Sequence, residues 1–168
     1  ALELQSQNAD LSDQAQDLEK SQSEFFAQLR DVLGNQEGVQ IDGDRFIFSS
    51  EVLFPSGDAD LSEEGEKEVA KVAEILRLVS DRIPKEINWI IRVDGHTDIQ
   101  PIKTLLFPSN WELSTARAVS VVKFLIEQGV PEKRLAATGF GEFQPIDATR
   151  DEVGYRRNRR IEMKLTER

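Results

Sequence analysis

Gly95-His96-Thr97-Asp98 follows the β-rich run Trp89-Ile90-Ile91-Arg92-Val93 and sets a pliant backbone position, an imidazole, a hydroxyl and a carboxylate side by side. Further along, Asn110 stands near the start of an amphipathic segment, and Arg117 lies two turns into it. If strand and helix pack in chain order, the Asp98 carboxylate and the Arg117 guanidinium meet at one pocket, beside the Asn110 amide and the free N–H groups of a helix start. One acid, one guanidinium and neutral donors complement a ligand that carries both an ammonium and a carboxylate. On residue types alone, a structural Asp98–Arg117 ion pair without a ligand is the commoner arrangement, because most such pairs are solvated surface contacts.

Other chemistries fit less well. His96, Asp98 and a serine such as Ser109 or Ser114 contain the residue types of a hydrolase, but no Gly-x-Ser-x-Gly elbow is present. Asp94 and Asp98 flank the same corner like a glycosidase pair, with nothing marking a sugar cleft between them. With no cysteine and one histidine in 168 residues, a thiolate metal site is impossible and an all-protein zinc site improbable, and no cofactor is expected. Lys and Arg number 21 against 31 Asp and Glu, a formal charge of -10 that repels polyphosphates. The basic run Arg156-Arg157-Asn158-Arg159-Arg160 is therefore weak as a nucleic-acid patch. Its arginines are expected to face solvent or pair with acids, with Arg159 turned to the pocket.

Positioning these groups requires a framework, and the hydrophobic pattern supplies one. Val39 to Ile41, an Asp42-Gly43-Asp44 turn and Arg45 to Phe48 read as a hairpin. Ser62 with Glu63, Glu64 and Glu66 is an N-cap followed by first-turn acids. Val69, Val72, Ala73, Leu76, Val79 and Ile83 then recur at helical spacing as far as Pro84. A strand over 89–93 leads to the polar corner, and a loop with Pro101 and Pro108 follows it. A second helix starts at Trp111 or Glu112, buries Ala118, Val121, Val122, Leu125 and Ile126, and ends at Gly129 with Pro131 beyond. Leu135 to Gly139 is a short strand, 141–154 a loop, and Ile161, Met163 and Leu165 alternate in a last strand. The sum is α+β, in the order β-α-β-α-β-β, with helices layered on one mixed sheet.

Residues 1–38 have a different character. Leu4, Leu11, Leu18, Phe25 and Val32 recur every seventh residue, and Ala1, Asn8, Ala15, Gln22 and Leu29 form the companion series. This predicts a coiled-coil stalk dimerising through residues 1–33, with a polar Asn8 fixing register. An amphipathic helix lying on the domain is the alternative. Gly34 to Gly38 reads as the linker, so the expected division is stalk and linker over 1–38 and a domain over 39–168. No apolar run approaches the roughly 18 residues of a spanning helix. The chain opens on Ala1 without a leader, which reads as part of a longer protein whose membrane anchor precedes it.

Taken in order, five stretches resemble the successive signatures of the OmpA-like C-terminal domain, which includes the periplasmic domain of MotB-type motor proteins. They are Gly95-His96-Thr97-Asp98; Asn110-Trp111-Glu112-Leu113-Ser114-Thr115-Ala116-Arg117-Ala118; Gly129-Val130 with Arg134-Leu135; Gly139-Phe140-Gly141-Glu142 with Pro145; and Asn158-Arg159-Arg160-Ile161-Glu162. The resemblance implies a non-catalytic periplasmic module that grips peptidoglycan through the diaminopimelate of the stem peptide. It assigns Asp98 to the ammonium and Arg117 to the carboxylate, with Thr97, Asn110 and Arg159 completing the hydrogen-bond shell and Leu113 giving a backbone contact. The segment Ile99 to Ser109 is longer and more apolar than in outer-membrane members, and is similar to the MotB-type branch. That branch implies a dimer tethered to the inner membrane by an N-terminal helix beside an ion-channel partner. An outer-membrane tether with the same ligand is the alternative. Leu105, Leu106 and Phe107 read either as a partner contact or as packing back on the domain.

Overall fold

The computed structural model describes residues 2–35 and 38–168, with side chains over 13–35 and 38–168. Helix α1 spans Leu2–Leu33, and the hairpin follows as β1 (Val39–Asp42) and β2 (Arg45–Ser49). A single-turn helix α2 (Ser50–Leu53) and the long α3 (Glu63–Ser80) lead to β3 (Trp89–His96). Helix α4 (Asn110–Glu127), a short 3-10 turn (Glu132–Arg134), β4 (Leu135–Gly139), α5 (Glu152–Asn158) and β5 (Arg160–Glu167) complete the chain.

The expected α+β architecture of helices on one mixed sheet is present. Strand order is β1-β2-β5-β3-β4, with β3 and β4 parallel and the other pairs antiparallel. Period-two alternation decides which side of the sheet is dry. Phe46 and Phe48, Ile91 and Val93, and Ile161, Met163 and Leu165 all point to the face that α3 and α4 cover, and all are fully buried. The α3 stripe is buried as its spacing predicts, and Ser62 caps the helix by accepting the Gly65 N–H at 3.0 Å.

Three expectations change. The strand over 89–93 continues to His96, because Asp94, Gly95 and His96 pair with Glu162, Ile161 and Arg160 of β5. The first part of the polar corner, Asp94 to His96, is thus the end of a central strand, and Thr97 and Asp98 follow directly after it. Helices α2 and α5 are additions: four residues are too few to show a period, and α5 is announced only by Asp151, whose carboxylate caps Gly154 N–H at 2.9 Å.

The third change concerns the stalk. Leu18, Phe25, Phe26, Leu29 and Leu33 belong to the same buried cluster as the sheet. Gln22 Nε2 donates to Leu165 O of β5 at 2.7 Å, and Glu24 faces Arg82 just beyond α3 at 3.7 Å. From Leu18 onward the seven-residue seam is consumed within the chain, leaving Val32 half exposed, so this part is the amphipathic helix on the domain and not a free coil. The core therefore crosses the composition break between 1–38 and 39–168. The seam positions Ala1, Leu4, Asn8 and Leu11 lie outside the described side chains.

Leu29→Ala is expected to lower the stability of the whole domain by about 2–5 kcal/mol, the cost of emptying a filled core site. Urea unfolding followed by the fluorescence of buried Trp89 measures it. An unchanged midpoint would mean that α1 is not part of the cooperative unit.

Candidate functional site

Two glycines bring α4 down onto the ends of the parallel strands. A Cβ on Gly95 would lie 2.1 Å from Ser114 O, and one on Gly139 would lie 2.0 Å from Thr115 Oγ1. No other residue allows this approach. It sets the start of α4, capped by Ser109, beside the chain as it leaves β3. Thr97 N–H donates to Gly141 O at 2.9 Å, and Asp98 Oδ1 accepts Gln100 N–H at 2.8 Å, so the exit from β3 is a pinned turn.

The result is a cleft of about 670 Å³ lined by all six residues that the sequence singles out: Thr97, Asp98, Asn110, Leu113, Arg117 and Arg159. Asn110 Nδ2 donates to Gln100 O at 3.0 Å and, more loosely, to Asp98 O at 3.4 Å, so its donors hold the turn. The Thr97 hydroxyl donates to Asp98 O at 2.9 Å, leaving its oxygen able to accept. Leu113 lines the cleft from the first turn of α4. Its N–H is already given to Ser109 O at 3.3 Å, and its side chain packs with Ala59 and Phe107.

The expected Asp98–Arg117 pair does not form. Asp98 Oδ2 accepts from Arg159 Nη1 at 2.6 Å, and Arg159 Nη2 also reaches Glu51 at 2.8 Å and Glu152 at 2.6 Å. Burial alone would lower the Arg159 pKa, but the three carboxylates override it and raise it. Arg117 is buried, donates through Nε to Asp58 O at 2.8 Å, and lies over the Phe54 ring at 5.0 Å. Among the described residues it has no ion-pair partner. Burial, aided by repulsion from Arg159, brings its pKa down to about 10. It remains a cation at neutral pH.

The comparisons bear on this architecture. A sequence profile of the OmpA family matches residues 53–159. The chain belongs to the OmpA family. Motility protein B of Bacillus subtilis is 36% identical over 113 residues, covering 67% of this chain and 41% of that protein. A MotB-like protein from Desulfovibrio vulgaris superposes with a TM-score of 0.70 at 26% identity, over 94% of this chain and 96% of that one. The cell wall anchor of the type VI secretion system of Pseudomonas aeruginosa gives 0.66 at 30% identity, over 83% and 94%. The chain spans less than half the length of the curated motility proteins it matches.

Within this OmpA-family domain the rival chemistries lose their geometry. The Ser109 hydroxyl donates to Glu112 and the Ser114 hydroxyl to Trp111 O, and neither is hydrogen-bonded to His96. Asp94 is held by Arg92 at 2.9 Å. The basic run is neutralised residue by residue: Arg156 lies by Glu51, Arg157 by Asp147, Arg159 in its carboxylate triad and Arg160 by Glu162. Phe107 packs inward while Leu105 and Leu106 are exposed. Among the described residues no cluster of acids and His could hold a metal, and no helix is long and apolar enough to cross a membrane.

Several site residues escape sequence reasoning. Glu51 and Glu152 hold Arg159, Phe54 underlies Arg117, and the Asp58 carbonyl fixes it. The irregular stretch Pro55-Ser56-Gly57-Asp58 is the only signal, since Gly57 at φ 70° turns this loop into the cleft wall.

Behind the cleft, on the sheet face away from α3 and α4, Glu162 is buried between Arg160 Nη2 at 3.0 Å and Arg45 Nη1 at 3.1 Å. His96 Nε2 lies 2.9 Å away but poorly aligned for a hydrogen bond. Burial would raise the Glu162 pKa, yet the close His96 ring and the two guanidiniums bring it down to about 2. A carboxyl whose folded pKa lies below its unfolded one contributes stability above the unfolded value, which is lost as pH falls towards the folded one. Stability is therefore expected to fall from the ordinary 4.5 towards about 2 in wild type, and less steeply in Glu162→Gln. Unfolding midpoints across that window check it.

Proposed function

We propose that this domain anchors its parent protein to peptidoglycan by holding the diaminopimelate of the stem peptide, recognising it without chemical turnover. The observation that carries the reading is Arg117: a buried guanidinium with no ion-pair partner among the described residues, lining the same cleft as the Asp98 carboxylate. A free amino acid centre supplies what is lacking. Its carboxylate meets Arg117, and its ammonium meets Asp98, with the Thr97 oxygen as a further acceptor. Arg159 need not leave the cleft, since Glu51 and Glu152 already share its charge.

Membership of the OmpA family and similarity to motility protein B and to a cell wall anchor support this reading. They also favour a periplasmic, envelope-associated setting; a tether to the inner membrane beside an ion-channel partner belongs to the same proposal. Dimerisation through residues 1–33 belongs to the same proposal, carried by the seam positions before Leu18.

A charge-assisted hydrogen bond contributes about 1.5–3 kcal/mol, so Asp98→Ala and Arg117→Ala are each expected to weaken binding roughly 10- to 100-fold. Co-sedimentation with purified diaminopimelate-type sacculi measures this. Equal pelleting of wild type and both variants would remove the assignment.

A further inference from the structure

Trp111 and Phe143 belong to neither apolar cluster of the core. They are 51% and 57% exposed and lie face to face, with centroids 5.0 Å apart and planes inclined at 26°. Large rings left together in solvent forgo the burial a core position gives, and such a patch marks a contact surface. The backbone that carries Trp111 is fixed at the start of α4: its N–H donates to Ser109 Oγ at 3.2 Å, and its carbonyl accepts from the Ser114 and Thr115 hydroxyls at 3.1 and 2.7 Å.

Gly141 ties this platform to the cleft. A Cβ there would lie 3.4 Å from Phe143 and 3.5 Å from Trp111, so the glycine backbone lies against both rings. The same residue accepts the Thr97 N–H at 2.9 Å and donates to Ser114 Oγ at 3.0 Å. Trp111 also directly follows Asn110 of the cleft wall. Two rings fall well short of the roughly 800 Å² per partner of a stable protein interface. The occupant they suit is a flat group the size of a ring or two, continuous with whatever fills the cleft.

The geometry points to Trp111 and Phe143 as a second subsite that stacks on a pyranose ring of the glycan bearing the stem peptide, an inference that rests on the peptidoglycan reading above. One face of a pyranose is a set of axial C–H groups with partial positive charge, which matches the negative face of an aromatic ring. The glycan and the diaminopimelate are joined through two residues and a lactyl link, so one molecule carries both groups. Cleft and platform would then grip one molecule at two points, and the glycan would raise the affinity set by the zwitterion.

The test compares two soluble probes, N-acetylglucosaminyl-N-acetylmuramyl-tripeptide and the same diaminopimelate tripeptide without sugars. Trp111→Ala and Phe143→Ala are expected to weaken the sugar-bearing probe about three- to tenfold and to leave the bare tripeptide unchanged. Trp111→Phe should keep most of the sugar contribution. In wild type, the sugar-bearing probe should shift tryptophan emission through Trp111, because Trp89 is 3% exposed. Unchanged binding of both probes by Trp111→Ala would overturn the subsite, as would equal loss of both, which would make the ring structural. Should the alanine variants fail to fold, an unchanged wild-type emission at saturation overturns it by itself. Asp98→Ala separates the two readings: loss of the bare tripeptide upholds the cleft whatever Trp111 does, and retention removes the cleft assignment.

Discussion

The closeness of α4 to the ends of β3 and β4 governs the rest of the molecule. Gly95 and Gly139 meet Ser114 and Thr115 at distances that leave no room for a methyl group. Everything facing the cleft from α4 is registered by that contact, because a helix pushed outward would carry Asn110, Leu113 and Arg117 with it. The strand contributes through the other side of the same joint. Thr97 and Asp98 leave β3 just after His96, and the Thr97–Gly141 bond stops the exit from fraying. Backbone proximity, set by absent side chains, fixes the spacing of the charged ones.

The cleft sets this rigid frame against unresolved charge. Asp98 has a cation at hand in Arg159, whereas Arg117 has a carbonyl and an aromatic face but no anion among the described residues. Burying an unpaired guanidinium costs stability, and the depressed pKa of Arg117 records that cost. On the reverse face of the sheet the opposite choice is made, where Glu162 collects Arg45, Arg160 and the His96 ring. One face keeps a charge waiting while the other closes its accounts.

Much of this was legible in the sequence, for identifiable reasons. Long periodic segments such as α3 and α4 declare themselves, because one face must meet a core. All six singled-out residues line one cleft, since strand end and helix start are adjacent whenever helices pack on a sheet in chain order. Contacts between distant, short elements were not legible. Glu51 sits on a single turn and reaches Arg159 across 108 positions of sequence, and neither periodicity nor capping foretells that. The Asp98–Arg159 pair was hidden for the same reason. The seven-residue seam of α1 misled because a heptad repeat and a three-and-four stripe coincide over a few turns; only the presence of α3 and β5 decides which partner the helix takes.

The docking of α1 has a mechanical meaning. Strand β1 is a four-residue edge strand, hydrogen-bonded in the sheet to β2 alone, and a pull applied directly to it would strip those bonds one after another. Phe25, Leu29 and Leu33 intercept the load first, passing it as side-chain contact into the cluster shared with the sheet. A force arriving along the first helix thus has to shear a packed core before it can unzip an edge.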